Sequence, residues 1–130
     1  MVAICYEKPT KFARYTVSSS VGIPKGTLLK LVTPNYATTM ALDNDPVAGI
    51  AWMEKAATDR STEITAALNG VWGMQCSSVS TITVGYDLVY ASAGNVKGYA
   101  TLDREKGYVI GKSLQTVSTT GTIAKVRVNL

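Results

Sequence analysis

The sequence predicts a mainly β protein, a small β-sandwich or β-barrel with an extended N-terminal arm, and three observations carry that reading. From Val21 onward the chain is rich in Val, Ile, Thr and Tyr, gathered in short runs. Gly, Pro, Asn and Asp break those runs, as turns require. The first 20 residues have no sustained hydrophobic period, which separates an arm, 1–20, from a single β-rich domain, 21–130. With 130 residues the chain is long enough to bury one core without disulfide or metal support.

Along the domain, Leu28 to Val32 reads as a strand that follows the Pro24-Lys25-Gly26 turn and stops at Pro34-Asn35. Asp43-Asn44-Asp45-Pro46 is a second turn. Val47 to Met53 reads as a strand; Ile50 to Ala57 also has helical composition, and Gly49 with its β-branched neighbours decides for strand. Ile64, Ala66 and Leu68 alternate with Thr65 and Ala67 before the turn dipeptide Asn69-Gly70, and Gly70-Val71-Trp72-Gly73 reads as a glycine turn. Further strands are expected over Val79 to Val84, Leu88 to Tyr90, Val109 to Leu114 and Ile123 to Val128. In the last of these, Lys125 and Arg127 mark a wet face.

These pieces occur twice in the same order. Gly26-x-x-Leu29, Val47-Ala48-Gly49-Ile50 and Ile64-x-Ala66-x-Leu68-Asn69 are followed by Gly85-x-x-Leu88, Val109-Ile110-Gly111-Lys112 and Ala124-x-Val126-x-Val128-Asn129. The offset is about sixty residues, which predicts two similar β units folded against each other.

The side-chain chemistry points away from catalysis. There is no histidine, so Ser-His-Asp triads, Cys-His pairs and His-ligated zinc are excluded. Asp43 and Asp45 lack the further ligands of a calcium loop and read as turn formers. No phosphate-binding glycine motif occurs, and the Ser/Thr cluster Ser77 to Thr83 has no base nearby to activate a hydroxyl. No catalytic residue, metal or cofactor is therefore expected. Cys5 and Cys76 form no CxxC pair, which suggests assembly inside a cell and argues against a bridge between them. The run Val2 to Cys5 is too short for a signal-peptide core, and the uncharged stretch Ile64 to Tyr86 is too polar to span a membrane.

Thirteen Lys and Arg against nine Asp and Glu give a net charge of +4, which suits an acidic partner. Seven tyrosines and two tryptophans would also suit a small barrel that stacks single-stranded nucleic acid. Against that reading, the basic residues are spread from Lys8 to Arg127, and Trp52 and Trp72 lie in apolar surroundings. The arm offers a sharper candidate. Tyr6, Phe12 and Tyr15 are its sources of buried area, and Lys8, Lys11 and Arg14 would meet acidic rims of a partner. The competing reading of the same segment is an edge strand of its own domain.

From Val21 to Leu130 the chain resembles the small capsid cement or decoration proteins of tailed viruses. The residues that carry the resemblance are Ile23-Pro24-Lys25-Gly26-Thr27-Leu28-Leu29, Pro46-Val47-Ala48-Gly49-Ile50-Ala51 and Ile64-Thr65-Ala66-Ala67-Leu68-Asn69-Gly70. They continue with Gly85-Tyr86-Asp87-Leu88-Val89-Tyr90, Ala93-Gly94-Asn95-Val96, Tyr108-Val109-Ile110-Gly111-Lys112-Ser113 and Ala124-Lys125-Val126-Arg127-Val128. The resemblance implies a non-enzymatic virion protein, made in the host cytoplasm, that trimerises and sits on the outer surface of the capsid. There it would cement neighbouring subunits of the major capsid protein, with the arm 1–20 reaching the lattice. A component of the tail or of head completion is the related alternative.

Overall fold

A computed structural model describes residues 2–40, 45–76, 82–92, 95–98, 108–117 and 122–130, and among them are eleven β-strands and no helix. Two strands lie within the first 20 residues, β1 (Ile4–Glu7) and β2 (Phe12–Thr16). The next four are β3 (Leu28–Thr33), β4 (Tyr36–Thr39), β5 (Val47–Ala51) and β6 (Glu63–Ala67). The second half supplies β7 (Asn69–Gln75), β8 (Asp87–Ser92), β9 (Asn95–Gly98), β10 (Val109–Ser113) and β11 (Ile123–Asn129). The fold class is the mainly β one that the sequence predicts.

The strands form two units. β2-β4-β3-β5-β6 close into a barrel, and β1-β7-β11-β10-β8-β9 form a six-stranded sheet. Apart from β1, the second unit repeats the first strand for strand. A parallel bridge from Cys76 to Val96 joins the β7 and β9 ends of the sheet, much as Thr16 and Tyr36 join β2 to β4.

The backbone hydrogen bonds repeat as well. Ile23 and Lys55 exchange N–H···O bonds at 2.7 and 2.8 Å, and Ile82 and Val117 do so at 2.8 and 2.7 Å. The Gly26 N–H donates to Ala51 O and the Gly85 N–H to Ser113 O; Trp52 donates to Thr65 O and Leu114 to Lys125 O. Both glycines that open the turns have positive φ, 88° and 90°. Even the bulges recur. Leu29 faces Gly49 and Leu88 faces Gly111, each beside a register shift, and a Cβ on either glycine would collide with a backbone carbonyl of the next strand, Ala67 or Arg127. The duplication seen in the sequence is therefore a duplication of structure.

Packing explains why the two halves read differently. The first barrel is filled by Val17, Ile23, Leu29, Ala37, Ala48, Ala51, Ile64 and Ala66. Its outer face carries Leu28, Ile50 and Ala67, which are buried in the other core cluster with Trp72, Met74 and Val126 of the second unit. β5 is thus buried on both sides, and its run Val47-Ala48-Gly49-Ile50-Ala51 is continuously apolar rather than alternating. No helix forms over Ile50 to Ala57, where β5 ends at Ala51 and turns follow. The counterparts of Ile50 and Ala67 are Lys112 and Arg127, both exposed, so β10 and β11 keep a polar outer face.

Two expectations are corrected. The first 20 residues are not an arm that waits for a partner. β1 pairs antiparallel with β7, and β2 pairs antiparallel with β6 along its whole length, so both are strands of the folded domain. Their hydrophobic period is short and Pro9 interrupts it, so tertiary partners, rather than local pattern, make them strands. Gly70-Val71-Trp72-Gly73 is not a turn but the middle of β7, paired on both sides by β1 and β11. The expected strand over Val79 to Val84 reduces to the bridge residue Ile82 and a turn at Val84, its residues 79–81 lying outside the described residues. Residues 43–44 of the expected acidic turn also lie outside them. Asp45 is described, and it is buried with the Lys30 ammonium 3.4 Å away.

Candidate docking surface

The turn between β1 and β2 sets where the six candidate residues fall. Asn69 holds this turn. Its Oδ1 accepts from the N–H groups of Thr10 and Lys11 at 2.7 and 3.0 Å, and its Nδ2 donates to Thr10 Oγ1 at 2.8 Å. The chain can therefore leave the second unit as β1 and enter the first barrel as β2.

Tyr6 lies on β1 with its ring over Gly73, where any Cβ would meet the ring at 2.6 Å. Lys125 on the neighbouring strand β11 places its Nζ 5.5 Å from the ring centroid. Phe12 opens β2 and is 46% exposed. Its ring tilts against Trp52 at 5.8 Å, and Trp52 stands edge-on to the buried Trp72 at 6.1 Å. The Lys25 ammonium sits 4.3 Å above the Trp52 ring. Each unit thus presents an aromatic surface with a lysine over it.

The remaining candidates have different roles. Arg14 faces Glu63 at 3.8 Å, an exposed pair that contributes little to stability. Lys8 and Lys11 are exposed, and Lys8 borders an open groove of about 370 Å³ with Glu7, Asn69, Gly70 and Arg127. Tyr15 points back into the first barrel. Its hydroxyl donates to Ala48 O at 2.8 Å, and burial pushes its phenol above the usual range. One side of Tyr15 still lines an apolar groove of about 500 Å³ with Leu31, Val32, Pro34 and Pro46.

Sequence reasoning missed Lys25, Trp52 and Lys125. The duplication held the signal: it aligns Trp52 with Leu114, each the residue after its strand and bonded to the next strand at Thr65 O or Lys125 O, and neither is fully buried.

A third groove, of about 290 Å³, gathers Arg14, Glu54, Lys55, Asp59 and Glu63. Its chemistry is structural. Lys55 is buried and donates to the carbonyls of Ser19, Val21 and Ala56 at 3.2, 2.8 and 3.3 Å, with Asp59 at 3.6 Å. The Ser61 N–H, ahead of the Lys55 charge, holds the Asp59 carboxyl below its usual range. Lys55 therefore ties the segment that leads from β2 to β3 to its own loop, its buried ammonium hydrogen-bonded to Ser19 and Val21 on one side and Ala56 on the other. Among the described residues no cluster of three or more Cys, Asp or Glu could hold a metal ion.

No protein-family model and no curated protein matches the chain. Among solved structures, the chain is similar to the head fiber gp8.5 N base of bacteriophage phi29, with a TM-score of 0.54 and 14% identity. The match covers 92% of this chain and 95% of that one, so the likeness of fold takes in both units.

Proposed function

We propose that this protein is a structural component of a tailed-virus head that binds the outer surface of the capsid and cements neighbouring major capsid protein subunits. The observation that carries the reading is the shared fold with a phage head fiber base over nearly the whole of both chains. The aromatic and cationic patches around Phe12, Trp52 and Lys25 and around Tyr6 and Lys125 support it as contact surface. The protein acts by binding alone, without a cofactor, and as a homotrimer whose several weak contacts add up through avidity.

Sedimentation with purified expanded capsids tests this reading. The protein is expected to pellet with the shells and to saturate them at many copies per particle, and electron microscopy is expected to show it coating the outside. Density confined to one vertex or to the tail would replace cementing with head completion. Saturable, strongly salt-dependent binding to a single-stranded oligonucleotide, with no capsid binding, would overturn the reading in favour of a nucleic-acid binder.

A further inference from the structure

The duplication shows one sheet edge that is completed and a counterpart that is not. On β7, Val71 and Gly73 stand opposite Glu7 and Ile4 of β1. The matching positions on β2 are Phe12 and Arg14, because β2 runs along β6 in the same register as β7 runs along β11. The Val17 N–H donates to Thr62 O, so Ala13 and Tyr15, which share its side of the strand, turn their peptide groups toward β6. Phe12 and Arg14 then turn theirs outward, to the side on which the Thr16 N–H reaches Asn35 O. β4 meets β2 only at Thr16. Among the described residues no strand pairs with the outward edge of Phe12–Arg14.

We propose that this edge accepts an extended acidic segment of another protein chain as an added strand, as β7 accepts β1 within the molecule. Charge decides the occupant. Lys8, Lys11 and Arg14 are all exposed along this stretch; Glu63, 3.8 Å from Arg14, offsets one of the three charges, and a second copy pairing edge to edge would still set like charges against each other, whereas acidic side chains would neutralise the remainder. Apolar contacts are also at hand. Phe12 is exposed on the outer face, and the groove of Leu31, Val32, Pro34 and Pro46 opens at the Tyr15 end of the edge. The proposal goes beyond the head-binding reading and stands without it, since it depends on the edge and not on the particle.

The probe is a capped seven-residue peptide alternating Glu with Val, and a Lys/Val peptide is the control. Amide exchange is read by NMR on the whole protein, with and without each peptide. The expected result is saturable binding of the acidic peptide, with the Phe12 and Arg14 amides slowed at least about tenfold and Ala13 and Tyr15, already bonded to β6, unchanged. Arg14→Pro removes the outward donor and no ladder bond, and it is expected to weaken binding at least about tenfold; Arg14→Thr keeps the donor and loses less. Unchanged exchange at Phe12 and Arg14, or equal binding of the basic peptide, would overturn the proposal. So would protection of those amides in the free protein together with a dimer by light scattering, which would name a second copy as the occupant. If Arg14→Pro fails to fold, the exchange measurement on the unaltered chain decides alone.

Discussion

Tyr15→Phe tests whether the first 20 residues belong to the domain, because it removes a single oxygen atom from them. In the folded chain that oxygen donates to the carbonyl of Ala48 at 2.8 Å. Ala48 is buried and sits in the β3–β5 bulge, where the ladder passes from Gly49 to Val47 and leaves this residue out. Losing the hydroxyl therefore removes one hydrogen bond, about 1 kcal/mol net, and leaves a buried carbonyl without its partner, about 1 to 3 kcal/mol if water cannot reach it. Tyr15 borders an open groove, so water recovers part of that penalty, and the expected cost is about 1 to 2 kcal/mol. For a chain of this size that corresponds to a fall of roughly 3 to 10 °C in Tm, or roughly 0.5 to 1 M in the urea midpoint. Urea unfolding followed by tryptophan fluorescence measures it, with Tyr6→Phe as the control expected to stay within about 0.5 kcal/mol. A midpoint for Tyr15→Phe that matches the unaltered protein within about 0.2 M would refute the assignment of β2 to the barrel and restore a free arm.

Three further outcomes are expected. Gly26→Ala and Gly85→Ala both force a residue to positive φ, at about 1 to 2 kcal/mol; only at Gly26 does the new Cβ also strike the Ala3 carbonyl, while Gly85 has open space, so calorimetry should find Gly26→Ala the more damaging by at least twofold. Cys76 is buried with its thiol pushed up by that burial and Cys5 is partly exposed, so a thiol reagent is expected to modify one cysteine in the native protein and both in urea. The Asp59 carboxyl lies below its unfolded value of 3.8 in the folded chain, so the stability it contributes is present above about pH 4 and is lost as pH falls through the lowered value. Asp59→Asn is expected to shrink the drop in urea midpoint between pH 5 and about pH 2.5, and an unchanged drop would show that Asp59 carries none of it.

The sequence by itself determined the fold class and the duplication. Turn glycines, β-branched runs and their order are local features, and the two halves repeat them because each half builds the same five-stranded unit. The strand it revealed best, β11, has a wet outer face at Lys125 and Arg127 and so shows strict alternation. Tertiary structure decided the rest. β5 is hidden on both faces by the barrel interior and the second unit, which removes the alternation that marks a strand. Gly70 and Gly73 look like turn residues alone, but in β7 they make room for Glu7 and for the Tyr6 ring of β1, a strand some sixty residues away in sequence. Likewise, Tyr6, Phe12 and Tyr15 are equivalent in composition, and only their partners Gly73, Trp52 and Ala48 separate the exposed pair from the residue held in the barrel. Pairing across such distances depends on which backbone edges and apolar faces meet, and no window of neighbouring residues records that.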